Sequence, residues 1–203
     1  MTTMQVRTFL KVAPLLPRET SVLLRGNHGI GKSQVVRQVA KHFNLTVIDR
    51  RLSQMSEGDM IGLPTTDGDV TRFAPPDWYI RACREPVCLF FDELNRSNFD
   101  RAFGQLFTVL SGSAVVLPYK RKGQSRPLSL VPAGVDPPDD TDVIRVPANW
   151  RIIATMNVFD KNLLFEMSYA LMRRFAFIEV GTPPMEKYQK LLERPGGDIG
   201  IST

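Results

Sequence analysis

The stretch RGNHGIGKSQ, residues 25–34, carries the spacing G-x-x-x-x-G-K-[ST] with every required position filled. Glycines at these positions let the backbone curl so that its N–H groups surround phosphate oxygens; the lysine adds a positive charge, and the serine hydroxyl can ligate Mg²⁺. The apolar run 21–25 and the helical pattern 32–43 supply the strand and the helix that must flank such a loop. The predicted nucleotide-binding residues are Gly26, Asn27, His28, Gly29, Ile30, Gly31, Lys32, Ser33 and Gln34.

The rest of the chain alternates short apolar runs with helical patterns. Strands are predicted at 21–25, 45–50, 87–94, 150–157 and 175–180, and helices at 32–43, 98–111 and 163–174. Strands that alternate with helices indicate an α/β fold, in which helices cover both faces of a parallel sheet.

Two regions interrupt this alternation. Residues 63–76 contain an Asp-Gly pair between short extended runs, which predicts a β-hairpin. Residues 118–142 are rich in proline, glycine and charge, so we predict a long irregular loop there that could carry strands at its base.

Composition sets broad limits on this chain. Its 203 residues, 43% of them hydrophobic, are enough for one main domain with a sizeable core. The net charge of +5 is compatible with a polyanionic partner, but it is too small and too scattered to indicate one. No apolar run approaches the roughly 20 residues that span a bilayer, and the N-terminus lacks a secretory pattern, so we expect a soluble cytoplasmic protein.

Cysteines and histidines give no sign of a metal cluster. Cys83 and Cys88 have no second pair, and reduced thiols in apolar surroundings are expected rather than a disulfide. His28 and His42 have no acidic or thiol companions at metal-ligand spacing.

The strand VCLFFDEL ends in two acids that complement the phosphate loop. Asp92 is expected to hold Mg²⁺ together with Ser33. The next residue, Glu93, could orient and polarise a water for attack, which suits hydrolysis better than transfer to a substrate hydroxyl. A strand end carrying two solvated acids is the alternative.

Further polar candidates follow at the next strand end. The strand IIATMN ends in Asn157, and because the carboxyl ends of parallel strands gather at one crevice, its amide could position the attacking water. A capping asparagine is the alternative. Asp160 could approach the same water or cap the next helix, and both interpretations stay open.

Two basic segments have two interpretations each. Arg173 and Arg174 end a helix, where they would suit the helix macrodipole, or one of them could reach the nucleotide of a neighbouring subunit as an arginine finger. The run YKRKGQSR, residues 119–126, could bind nucleic acid or an acidic partner, although such runs are more often solvated loops.

Taken together, the motifs of residues 20–183 resemble the AAA+ ATPases, and most closely their dynein-related branch with the MoxR-type and McrB-type proteins. The segment FFDELNRSN, residues 90–98, is similar to that branch's Asp-Glu-Ile-Asn-Arg-x-Asn stretch. The segment ATMNVFDKNLLFEMSYALMRRFAFIEV, residues 154–180, is similar to the McrB pattern of Thr-Met-Asn-x-x-Asp followed by Ala-Leu-Arg-Arg-Arg-Phe. DMIG and FGQLFTVLSG, residues 59–62 and 103–112, resemble further family segments.

The resemblance implies a five-stranded parallel sheet in the order 5-1-4-3-2, followed by a helical lid. It implies a ring, usually of six subunits, with nucleotides between subunits, Asn157 as the sensor and Arg173 or Arg174 as the finger. Residues 1–183 would form the large ATPase subdomain. Residues 184–203 would then be the start of a lid that is largely absent, which suggests a piece of a longer protein.

The function implied is an ATP-binding and ATP-hydrolysing module of a ring-forming motor or chaperone that remodels a macromolecule. ATP or GTP, with Mg²⁺, would be its cofactor. Possible partners are a von Willebrand A-domain protein and nucleic acid bound through residues 118–142; no membrane is expected. The alternatives are a GTP-dependent McrB-like restriction subunit that translocates DNA, and a nucleotide-dependent binding switch with little turnover.

Overall fold

A computed structural model describes residues 4–18, 20–67, 70–94, 108–109, 111–121, 123–158 and 169–182. Most of the helix predicted at 98–111, the first part of the helix predicted at 163–174, Asp160 and the segment 184–203 lie outside the described residues.

The described residues form eleven strands and five α-helices. The strands are β1 Met4–Gln5, β2 Ser21–Gly26, β3 Thr46–Arg51, β4 Leu63–Asp67, β5 Val70–Ala74, β6 Val87–Asp92, β7 Val115–Lys120, β8 Pro127–Val131, β9 Asp142–Arg145, β10 Arg151–Asn157 and β11 Phe175–Gly181. The α-helices are α1 Val6–Val12, α2 Lys32–His42, α3 Glu57–Ile61, α4 Asp77–Arg84 and α5 Tyr169–Met172, and 3-10 helices span Ala13–Leu15 and Leu52–Gln54.

The main sheet is parallel and has six strands in the order β1-β11-β2-β10-β6-β3. Five of them are the predicted strands, and they lie in the order 5-1-4-3-2, so the predicted α/β fold is confirmed. The count of five needs correction, because β1 adds a sixth strand beside β11. A strand of two residues is too short to show any periodicity in the sequence.

The sheet is covered on both faces, as its apolar strands predicted. In β6, Cys88 and Phe90 belong to one buried cluster, whereas Leu89 and Phe91 belong to the other. Successive side chains of a strand point to opposite faces, so a strand buried on both faces has a continuous apolar sequence. Helices α1 and α2 contribute residues to the first cluster, and α4 contributes to the second.

The hairpin predicted at 63–76 is confirmed, since β4 and β5 pair as antiparallel strands from Leu63↔Ala74 to Asp67↔Val70. It forms a small sheet of its own, separate from the main sheet.

The interpretation of residues 118–142 as an irregular loop is wrong in its middle. Strand β8 lies there, paired antiparallel to β7 and parallel to β9 in a three-stranded sheet. Leu128, Leu130 and Val131 of β8 are buried. The five-residue run PLSLV was not predicted as a strand because proline, glycine and charged residues surround it. Its leucines are buried in the second core cluster.

Part of the positive charge of this region is paired with acids. Arg121 Nε lies 2.9 Å from Asp142 Oδ2, and Arg126 Nη2 lies 4.0 Å from Asp140 Oδ1. Surface ion pairs of this kind are expected in a solvated segment, which is the second interpretation given to residues 119–126.

Both cysteines are buried free thiols, as predicted. Burial disfavours the thiolate and raises the pKa of Cys83 and that of Cys88 to about 12. Within the described part of the chain, the helices are too short or too polar to cross a bilayer.

Candidate functional site

The carboxyl ends of β2, β10 and β6 meet at one edge of the main sheet. Asn157, the last residue of β10, lies beside Gly26, the last residue of β2, and Asp92 ends β6 on the other side of β10. A cavity of about 450 Å³ opens there, and its lining residues are His28, Gly29, Gly31, Lys32, Ser33, Gln34, Arg51, Asp92, Glu93 and Asn157. In a parallel α/β sheet this edge is the usual place for a ligand.

The backbone of the turn from β2 into α2 requires its glycines. Gly29 and Gly31 have φ angles of 75° and 85°, in the left-handed region that L side chains rarely adopt. At Gly26, a Cβ would overlap the carbonyl oxygen of Val180 and lie 2.7 Å from Ile30 Cδ1. The turn therefore brings the N-terminus of the eleven-residue helix α2 to the cavity, where its free N–H groups and dipole favour an anion.

The Lys32 ammonium is at the centre of this turn. It donates to the carbonyl oxygens of Gly26 and Asn27 at 2.9 and 2.7 Å, and to Asn157 Oδ1 at 2.8 Å. An ammonium has three protons, so all of them are donated to protein acceptors. The first two bonds hold the loop in shape, and the third connects the loop to β10.

Burial lowers the pKa of Lys32 because the side chain is only 7% exposed and loses hydration, while the carboxylates of Asp92 and Glu93 oppose the decrease. The site thus places one buried cation beside two acids. This pattern is typical of a functional site, although structural ion-pair networks also produce it.

Asp92 has partners on both carboxylate oxygens. Its Oδ2 accepts from the Ser33 hydroxyl at 3.3 Å and lies 3.8 Å from Arg51 Nε, and its Oδ1 accepts from the Thr155 hydroxyl. One hydroxyl and one carboxylate fit Mg²⁺, which takes oxygen ligands and completes its shell with waters and substrate phosphates. Among the described residues there is no cluster of three or more His, Cys, Asp or Glu that could hold a metal by protein ligands alone.

Glu93 has an unusual backbone conformation. Its φ of 58° is left-handed, which costs an L residue about 1–2 kcal/mol. Its backbone N–H donates to Thr155 Oγ1 at 3.2 Å, and its Oε1 lies 3.5 Å from Asn157 Nδ2. Strained backbone of this kind is concentrated at functional sites, where the surrounding contacts hold it in place.

Most of the predicted site residues lie together at this cavity. Asn27 and Gly26 contribute carbonyl oxygens to Lys32, whereas the Ile30 side chain packs against a core cluster, so any contact from Ile30 to a ligand would come from its backbone. Asp160 lies outside the described residues.

Arg173 and Arg174 are not at this cavity. Both are exposed, and the next residue, Phe175, pairs with Ser21 at the start of β2, whereas the phosphate loop follows the end of β2. The five residue steps between these strand ends span about 17 Å at ~3.3 Å per residue. The arginine pair therefore lies toward the opposite edge of the sheet from this chain's own loop.

Two residues of the site were missed from the sequence. Arg51 lines the cavity, but its position after the predicted end of the second strand made it look like part of a loop. Thr155 is buried within IIATMN, and the signal was a lone hydroxyl in an otherwise apolar strand. Burial of such a group without partners is costly, so its position predicts specific hydrogen bonds.

Comparison with known proteins identifies a family and structures of related fold. The family model described as "AAA domain (dynein-related subfamily)" matches residues 21–175. No curated protein matches the sequence. A crystal structure described as a "putative ATPase" from Cytophaga hutchinsonii superposes with a TM-score of 0.52 at 15% identity, over 97% of this chain and 51% of that one. At this identity the similarity shows a common fold alone, and this chain spans about half the length of that protein.

Proposed function

This chain belongs to the dynein-related subfamily of AAA domains, and from that premise we propose that it binds a nucleoside triphosphate with Mg²⁺ and hydrolyses it. Membership of the family supports nucleotide binding. The proposal of hydrolysis depends on the chain's own residues at the cavity.

One observation carries the proposal: Asn157 connects Lys32 to Glu93. Its Oδ1 accepts from Lys32 at 2.8 Å, and its Nδ2 lies 3.5 Å from Glu93 Oε1. A phosphate-binding cation and a candidate base are thus held on the two sides of one amide. A binding switch with little turnover would not need a carboxylate held in this position.

The phosphates would be held by the backbone N–H groups of the loop, by the N-terminus of α2 and by Lys32, whose ammonium would exchange one of its protein acceptors for a phosphate oxygen. Ser33 and Asp92 would hold Mg²⁺, which supplies charge to neutralise the phosphate oxygens. Arg51, which also lines the cavity, adds positive charge beside Asp92.

In this proposal Glu93 is the general base and Asn157 positions the water. Glu93 lies one residue beyond the metal-binding Asp92, and its left-handed backbone turns it away from the direction of β6. Asn157 constrains the Glu93 carboxylate through its amide. Positioning and electrostatic stabilisation account for most of the catalysis in phosphoryl transfer, and two fixed groups of this type would contribute to it beside the metal and the cations.

The proposal is tested by turnover. The chain is expected to release inorganic phosphate from ATP or GTP with Mg²⁺ and to lose this activity when EDTA removes the metal. Running both nucleotides side by side identifies the preferred base. Tight nucleotide binding with no phosphate release would favour the binding switch instead.

We further propose that this domain works in a ring in which Arg173 or Arg174 acts on a neighbouring subunit's nucleotide. Support comes from their exposure and from their position away from this chain's own loop. The macromolecule that such a ring remodels would be a protein, reached through a von Willebrand A-domain partner, or a nucleic acid. Residues 1–183 would form the ATPase subdomain, with the lid beginning at 184–203.

Complementation tests the action in trans. The double variant Arg173→Ala/Arg174→Ala keeps its own Glu93, and Glu93→Gln keeps its arginines, so each alone is expected to be inactive. In a ring assembled at random from equal amounts of the two variants, about a quarter of the sites combine an intact Glu93 with intact arginines from the neighbouring subunit. Those sites should regain activity, because each interface of a ring joins two different surfaces of neighbouring subunits. Arg84→Ala, at an exposed arginine that ends α4, is the matched control. A mixture that exchanges subunits and stays inactive would contradict the proposal.

A further inference from the structure

Thr155 is a polar residue in the apolar centre of the main sheet. It lies in β10, paired with Leu24 of β2, and is 1% exposed. Its hydroxyl contacts two residues of the candidate site, donating to Asp92 Oδ1 and accepting from the backbone N–H of Glu93 at 3.2 Å. Thr155 itself does not line the cavity.

The partners determine the direction of both hydrogen bonds. A backbone N–H can only donate, and a carboxylate can only accept, whereas a hydroxyl has one proton and two lone pairs. The Thr155 hydroxyl therefore gives its single proton to Asp92 and uses a lone pair for Glu93. One oxygen atom connects the two neighbouring acids.

The bond to Glu93 is made at the position where the chain is strained. Glu93 has a φ of 58°, and a non-glycine residue keeps such a conformation only when its surroundings hold it. Thr155 restrains its backbone, while Asn157 contacts its carboxylate 3.5 Å away. Without the hydroxyl, the turn at 92–93 could relax and re-aim both acids.

We infer that Thr155 is a positioning residue, whose hydroxyl holds Glu93 in place to take a proton from the attacking water and holds Asp92 in place for the metal. This inference depends on the proposed hydrolysis. It differs from a purely structural role in one respect: the hydroxyl should matter for turnover in molecules that are fully folded and fully loaded with nucleotide.

Thr155→Val tests the inference, because valine has nearly the same shape and replaces the hydroxyl with a methyl group that forms no hydrogen bond. The kcat is expected to fall by about 10²-fold, the loss that a displacement of about 1 Å can produce, while the nucleotide Kd changes by less than about 3-fold. The concentration of Mg²⁺ needed for half-maximal turnover should rise, since Asp92 also loses a restraint. Thr155→Ser keeps the hydroxyl and should recover most of the kcat.

Two controls separate this role from folding. Thr46→Val makes the same change at an exposed strand position and should leave the kcat unchanged. In a Glu93→Gln background, Thr155→Val should cause little further loss in single turnover, because residues that act as one unit are non-additive. If Thr155→Val does not fold, Thr155→Ala replaces it with the same criteria.

The outcomes are distinct. A folded Thr155→Val protein with kcat within about 3-fold of the wild type, or a Thr155→Ser protein as impaired as the valine variant, would overturn the inference and leave the proposed hydrolysis standing. A wild-type chain that binds nucleotide and releases no phosphate would overturn both.

Discussion

Replacing Glu93 with glutamine is expected to lower turnover by about 10²–10⁴-fold, the usual contribution of a general base, and to leave nucleotide binding intact. Glutamine has nearly the same shape as glutamate, and its Oε1 can still accept from Asn157 Nδ2. In the wild type this nitrogen lies 3.5 Å from Glu93 Oε1. The backbone bond to Thr155 does not involve the side chain, so the turn should persist. Only the capacity to take a proton is lost.

The measurement is phosphate release at saturating nucleotide, paired with direct titration of binding. Glu85→Gln is the matched control, because it removes an exposed carboxylate whose ion pair with Arg81 lies on the surface of α4. Such surface pairs contribute little, so this variant should have the wild-type kcat. If Glu93→Gln hydrolyses at the wild-type rate, Glu93 is not the base.

The order of the main sheet was predictable from the family resemblance, whereas the apolar runs predicted only that its central strands are buried. Burial on both faces favours such runs, and residues 87–91 and 152–154 display them. The three-stranded sheet was harder to predict from the sequence. Strand β8 has only five residues, and its Leu128 and Leu130 are buried in a core cluster whose other members come from distant parts of the chain. Its burial is thus a tertiary effect, which local composition does not report.

The candidate site was predictable where a motif fixes a residue at a strand end. Gly26, Asp92 and Asn157 each end a strand, and parallel strands bring these ends together. The connections between them were not predictable. Spacing alone gave no reason for one amide to contact both Lys32 and Glu93, or for Thr155 to contact two acids. Those bonds depend on the register between β10 and its neighbours.

The arginine pair shows a different limit of sequence reasoning. The sequence assigned Arg173 and Arg174 to the end of a helix without locating that end in the sheet, and the register puts it beside the start of β2. A single chain therefore places Arg173 and Arg174 away from its own loop. Their function can be judged only in an assembly, which is why the complementation experiment uses two variants.

Replacing Lys32 with alanine is expected to have the largest effect on binding, with nucleotide affinity reduced by about 10²-fold or more. A charge-assisted hydrogen bond contributes about 1.5–3 kcal/mol, and Lys32 is a buried cation beside the loop's N–H groups. Its removal also leaves the carbonyl oxygens of Gly26 and Asn27 without their donor. The loop would lose both its charge and part of its internal support.

These two effects can be separated by a second substitution. Lys32→Met retains most of the buried stem without the charge, so a loss of affinity common to both variants is due to the ammonium, whereas a lower melting temperature confined to alanine is due to packing. Lys41→Ala removes an exposed lysine from the last turn of the same helix and should bind nucleotide like the wild type. A folded Lys32→Met protein that keeps wild-type affinity would show that the loop does not bind the phosphates through Lys32. Phosphate release by the same variant would then show whether the connection from Lys32 through Asn157 to Glu93 has a part in hydrolysis.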